Sequence, residues 1–144
     1  MRLKGSYLLL IGLPEKQTMK VGRLGAIDFS AGYYVYVGSA LGGFKPRLNR
    51  HLRKDKQSKW HVDYLLQRAS LESIIICETN ERVECAIAQE LSLRFKTIPR
   101  FGSSDCNCPG HLFFSDKAMG RKSEAALRSL GLKPELLDDS SVIL

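Results

Sequence analysis

Residues 33–37 read Tyr-Tyr-Val-Tyr-Val, and no other stretch restricts the fold as tightly. Aromatic and β-branched side chains crowd a helix and suit a pleated, half-buried surface, so the run is a strand. Gly32 precedes it, and Gly38-Ser39-Ala40 follows, so the strand runs out at a glycine. Gly42-Gly43 frees a loop, and Pro46 suits the first turn of a helix. Along that helix Leu48 and Leu52 lie at i and i+4 and face inward. Arg47 and His51 share a neighbouring face at the same spacing. One strand end therefore delivers tyrosines, a glycine and a serine beside a helix start that carries an arginine and a histidine.

The rest of the chain supplies a core for this unit. Gly5 to Ile11 is a continuous apolar run bounded by glycine and by Pro14, with the length and flanks of a buried strand. Met19 to Leu24 alternates apolar and polar residues and predicts a hairpin with a bulge at a glycine, continued by Ile27 and Phe29. A second helix is expected from Ser58, a good N-cap, with Trp60, Tyr64 and Leu65 as its apolar stripe. Ser73 to Cys77 reads as a buried central strand. Asn80 to Phe95 reads as an amphipathic helix on Val83, Ile87 and Leu91, with Cys85, Ala86 and Ala88 as small fillers. Phe101 to Gly110 is a turn-rich loop, His111 to Phe114 a short edge strand, and Arg121 to Leu130 a last helix ended by Gly131. The tail after Pro134 is either frayed or docked through Leu136 and Leu137. The order β-β-β-α-α-β-α predicts an α+β layered domain over residues 1–115 and a C-terminal helical extension over 116–144.

The chain has 144 residues, which suits one core. Its net charge of +7 favours polyanionic partners. The excess is uneven. Lys45, Arg47, Arg50, Arg53, Lys54, Lys56 and Lys59 fall within fifteen residues that hold one acid, Asp55. Such a run is either a solvated face or a track for backbone phosphates, and its overlap with Arg47 favours the track. No apolar run approaches the roughly 20 residues that span a bilayer. The four cysteines, Cys77, Cys85, Cys106 and Cys108, lack a secreted-framework spacing and are expected to be reduced. These features predict a cytoplasmic protein without a membrane partner.

Tyrosines on strands most often pack with their hydroxyls satisfied. The helix beside them adds a second reading. Gly38 allows a ligand close to the backbone, the Arg47 fork suits bidentate contact with a phosphate, and a helix N-terminus adds partial positive charge. Gly38 and Ser39, with Lys45, Arg50, Arg53, Lys54 and Lys59, are the expected nucleic-acid contacts. His51 shares the Arg47 face and is expected at the site. His61 and Asp63 are expected to brace the second helix.

Through Gly5-Ser6-Tyr7, Tyr36-Val37-Gly38-Ser39, Arg47 with His51 one turn on, and a later glutamate-bearing helix, the chain resembles the GIY-YIG nuclease superfamily. It is closer still to the Uri-like branch, formerly a domain of unknown function and in some archaeal proteins attached to endonuclease III. Gly32 to Ala40, Arg50-His51-Leu52, His61 to Leu65, Glu84-Cys85, and Phe101 to Cys108 with His111-Leu112 carry that likeness over about residues 3 to 114. The resemblance implies an antiparallel three-stranded sheet flanked by helices, with an extra hairpin. It also implies endonucleolytic hydrolysis of DNA with a single Mg²⁺ or Mn²⁺, and a possible repair-protein partner. Tyr7 would be the general base or would orient the attacking water. Tyr36 would assist, Arg47 would hold the scissile phosphate, and a glutamate would coordinate the metal. Glu84 is favoured over Glu90. Six residues apart on a helix, the two point about 120° apart, so one of them faces the site. The alternative is a non-catalytic nucleic-acid-binding module that retains the fold.

Two features depart from the usual pattern. Serine stands at position 6 where isoleucine is typical, and 28 residues separate Tyr7 from Tyr36. Cys106, Cys108 and His111, with Asp105 beside them, have the donor types of a zinc site. The Cys-x-Cys spacing is tight and a fourth ligand is not evident, so a shaped, hydrogen-bonded loop is expected there rather than zinc.

Overall fold

A computed structural model of the chain describes residues 4–53, 60–103 and 108–137. In chain order its strands are β1 (Gly5–Leu13), β2 (Gln17–Lys20), β3 (Ala26–Phe29), β4 (Gly32–Ala40), β5 (Ser70–Glu78), β6 (Lys96–Ile98), β7 (Leu112–Ser115) and β8 (Pro134–Leu137). Its helices are α1 (Phe44–Leu52), α2 (His61–Leu66), α3 (Glu84–Ser92) and α4 (Gly120–Ser129). The architecture is α+β. An antiparallel sheet runs β6-β7-β4-β1-β5-β8, and β2 and β3 form a separate hairpin.

Strand β1 lies inside the sheet, paired with β4 on one edge and β5 on the other, and is covered on both faces. This explains why its sequence is continuously apolar rather than alternating. Side chains alternate between faces along each strand. Tyr7, Leu9, Ile11, Tyr34, Ile74 and Leu112 point to one face, where Phe44 and Leu48 of α1, Val62 and Leu65 of α2, and Phe29 of the hairpin complete a core. Leu8, Val35, Val37, Ile75 and Phe113 point to the other, against Ile87 and Leu91 of α3 and Ala126 and Leu127 of α4.

The alternation resolves the oddity at position 6. Ser6 lies opposite Cys77 in the register and projects to the face of α3 and α4, away from Tyr7. The departure from isoleucine therefore changes packing on the far side of the sheet. Its hydroxyl is fully buried and has no hydrogen-bond partner among the described residues.

The expected three-stranded sheet is corrected to six strands. β6 and β8 are short edge strands of three and four residues, too short for a local periodicity to mark them, and β8 pairs with β5, far back in the chain. Pairing of Leu136 with Ile75 makes the docked tail a strand, so the segment after residue 116 holds β8 as well as α4. Helix α3 spans Glu84–Ser92 rather than 80–95. The Glu81 N–H donates to the Thr79 hydroxyl, a local turn that competes with helix ahead of Val83. The expected helix start at Ser58 lies outside the described residues. α2 begins at His61, where the Asp63 carboxylate accepts the Trp60 N–H at 2.8 Å. Among the described residues no helix is long and apolar enough to cross a membrane.

Candidate active site

A cavity of about 490 Å³ opens where β4 ends and α1 begins. Tyr7, Tyr36, Arg47, His61, Glu84 and His111 are among the residues that line it, as are Gly38 and Ser39. Five elements and one loop end supply these residues. The Tyr7–Gly38 pairing and the two-residue step to Tyr36 set the two tyrosines on one face.

Tyr7 is buried, and its hydroxyl lies 2.7 Å from Nε2 of His51, itself buried. Burial pushes the Tyr7 phenol well above its ordinary pKa. Tyr36 adds to that shift, Arg47 opposes it, and the charge of Glu84 pushes it up further. At neutral pH the hydroxyl therefore keeps its proton.

Arg47 donates from Nη1 to the Ser39 carbonyl at 3.0 Å, and its guanidinium lies 4.7 Å from the Trp60 ring centroid. The Ser39 carbonyl takes one of five N–H donors on a planar fork. Arg50, one turn on, is differently placed. It donates to both oxygens of Asp63 at 2.9 Å and stacks 3.9 Å over Trp60. Arg50 is expected from the sequence to contact nucleic acid, but the structure commits it to Asp63, because a fully buried carboxylate needs a paired charge. Lys45 and Arg53 are exposed on and just after α1, whereas Lys54 and Lys59 lie outside the described residues.

Asp63 braces α2 as expected, through Trp60 and Arg50. His61 does more than brace. Its Nδ1 accepts the Gly102 N–H at 2.8 Å, so the neutral ring carries its proton on Nε2. Burial lowers its pKa and keeps it neutral. Gly102 has φ of 72°, and a Cβ there would come within 2.8 Å of the Tyr36 ring. No local pattern marks this contact in the sequence, because Gly102 lies 41 residues from His61.

Glu84 is the first residue of α3 and reaches the cavity wall, with Oε1 4.0 Å from Nη1 of Arg82. Glu90 accepts from Arg94 at 3.2 Å and from Ser129 at 3.1 Å, on the α4 side of the helix. A hard divalent cation needs one or two carboxylates, with waters and phosphate oxygens completing its shell. Glu84 provides one such carboxylate in the cavity. Glu90 does not line it.

Gly38 is the tightest contact of the site. A Cβ added there would fall 2.3 Å from both Cζ and Oη of Tyr7. Gly38→Ala is expected to cost about 1–3 kcal/mol in denaturant unfolding, the range of overpacking. Gly120→Ala, where the nearest atom is at 3.8 Å in a helix, is expected to be neutral or stabilising.

The sequence model of a family described as Domain of unknown function DUF123 matches residues 6–132. The chain belongs to this family. No curated protein matches the chain. No solved structure matches it either. The DUF123 match takes in every residue that lines the cavity.

The DUF123 chain holds a second cluster beside the cavity. Cys85 Sγ, Cys108 Sγ and a ring nitrogen of His111 lie within 4.8 Å of one another. Burial lowers the His111 pKa, and the charge of Glu84 opposes that shift. Cys106 and Asp105, the other members of the expected loop constellation, lie outside the described residues. Cys85 reads in the sequence as a small helix filler, and only the fold brings it to the loop.

Proposed function

We propose that the cavity binds the phosphodiester backbone of DNA and hydrolyses it as a GIY-YIG-type endonuclease, using one divalent cation. The observation that carries this reading is convergence. Tyr7 from β1, Tyr36 from β4, Arg47 from α1 and Glu84 from α3 meet at one cavity wide enough for a phosphate. The resemblance in the sequence supports it, and on this reading β4-β1-β5 would be the part of the six-stranded sheet that stands for the implied three strands.

Arg47 holds the scissile phosphate and balances charge that develops on its oxygens. The neutral Tyr7 phenol orients the attacking water. It takes a proton from that water only by passing its own to His51 Nε2, 2.7 Å away. Tyr36 and the Nε2–H of His61 are further donors at the same wall. Glu84 holds the cation, Mg²⁺ or Mn²⁺. When bound, the cation stabilises phosphoryl charge and lowers the pKa of bound water. The exposed Lys45 and Arg53 extend the positive face for flanking phosphates.

The test is cleavage of labelled duplex, branched and single-stranded DNA and of RNA, with and without Mg²⁺ or Mn²⁺. The wild type is expected to cut DNA only with metal. Glu84→Ala is expected to lose about 10²-fold or more, and Glu90→Ala to stay within about 2-fold. Loss in Glu90→Ala instead would move the metal ligand. A wild type that binds DNA in a salt-sensitive way and cuts none of these substrates would leave a nucleic-acid-binding module.

A further inference from the structure

We propose that Cys85, Cys108 and His111 form a binding site for zinc, separate from the Glu84 carboxylate. The three donor atoms lie within 4.8 Å of one another. On a tetrahedral zinc ion, bonds of about 2.3 Å to sulfur and about 2.0 Å to nitrogen set donors roughly 3.5–3.8 Å apart. Small side-chain rotations close that gap.

The backbone already holds the ligands in place. Cys85 is the second residue of α3, whose Ile87 and Leu91 are anchored in the core. His111 is fixed on both sides, since its N–H donates to the Phe101 carbonyl at 2.7 Å and its carbonyl accepts the Val37 N–H at 3.0 Å. Cys108 stands three residues before His111 on the loop that enters β7. The site thus joins two segments that the fold has independently brought together.

The donor chemistry selects the ion. Two thiolates and an imidazole are soft and borderline donors that prefer zinc over Mg²⁺ or Mn²⁺, which take oxygen. The position of Cys85 in the first turn of α3 favours the thiolate that zinc requires. Three protein ligands leave the fourth tetrahedral position for water or another donor. His111 also lines the cavity, so the ion borders it, and the residue before Cys85 is Glu84. Zinc here clamps the loop ahead of β7 to the head of α3 and so sets where Glu84 stands. The competing occupant of the same geometry is a Cys85–Cys108 disulfide.

The test uses the full chain purified under reducing conditions, with metal content by elemental analysis and Co²⁺ replacement read by absorption. The expected result is about one zinc per chain and the intense visible bands of tetrahedral cobalt with thiolate ligands. Cys85→Ser and Cys108→Ser are each expected to retain less than about a tenth of that zinc. Cys77→Ala, in the core away from the cluster, is expected to retain it all. The wild-type cobalt spectrum decides the matter even if a variant does not fold. A reduced wild type without stoichiometric zinc and without the thiolate spectrum overturns the proposal, as does full zinc retention in both serine variants. None of these readouts depends on DNA cutting, so a failed zinc site and a failed nuclease reading remain distinct.

Discussion

Arg47→Ala is expected to lower metal-dependent DNA cleavage by about 10³-fold, the scale of removing one preorganised cation from a developing phosphoryl charge. The measurement is kcat/KM on the best substrate of the panel, beside a denaturant melt. The melt is expected to move by less than about 0.5–1 kcal/mol, because Arg47 is only half-buried and its hydrogen bonds, to the Ser39 carbonyl and the Tyr7 hydroxyl, border the open cavity where water can replace them. Arg47→Lys is expected to recover little, since an ammonium keeps the charge but not the planar two-point contact. Cleavage within about threefold of wild type in Arg47→Ala would remove this residue from the chemistry.

Arg50→Ala is expected to do the reverse and destabilise the fold by about 3–5 kcal/mol. It strands the Asp63 carboxylate, whose side chain is 0% exposed, without its bidentate partner. It also uncovers the Trp60 ring, against which His51 packs with centroids 5.6 Å apart. Arg50→Ala combined with Asp63→Ala is expected to recover part of the loss, because the uncompensated charge is gone. A double-mutant cycle in urea measures that coupling. A single variant that melts like wild type would mean that water reaches Asp63 and that the pair is dispensable. The two arginines lie three residues apart on one helix and face the same indole, so composition cannot tell them apart. What separates them is the partner each meets.

Residues 33–37 and 5–11 announce their strands because pairing on both edges and burial on both faces demand apolar and β-branched side chains at every step. The amphipathic stripe of Val83, Ile87 and Leu91 announces α3 for a similar reason, although a threonine turn trims its start. β6 and β8 leave no such mark. Each is three or four residues at a sheet edge, and its stabilising partner lies elsewhere in the chain.

Within the candidate site the same division holds. Side-chain spacing and composition suffice to place Tyr7 and Tyr36 on strands, to put Arg47 and His51 on one helix face, and to reveal the excess of positive charge. These properties follow from side-chain periodicity and composition, which are local. It takes long-range packing to bond Tyr7 to His51, to pair Arg50 with Asp63, to bring Glu84 to the cavity while Glu90 turns to Arg94 and Ser129, and to set Cys85 against Cys108 and His111. Each of these depends on groups from segments that the sheet brings together. Burial then sets which charges must pair and which protons stay, and no local pattern in the chain encodes it.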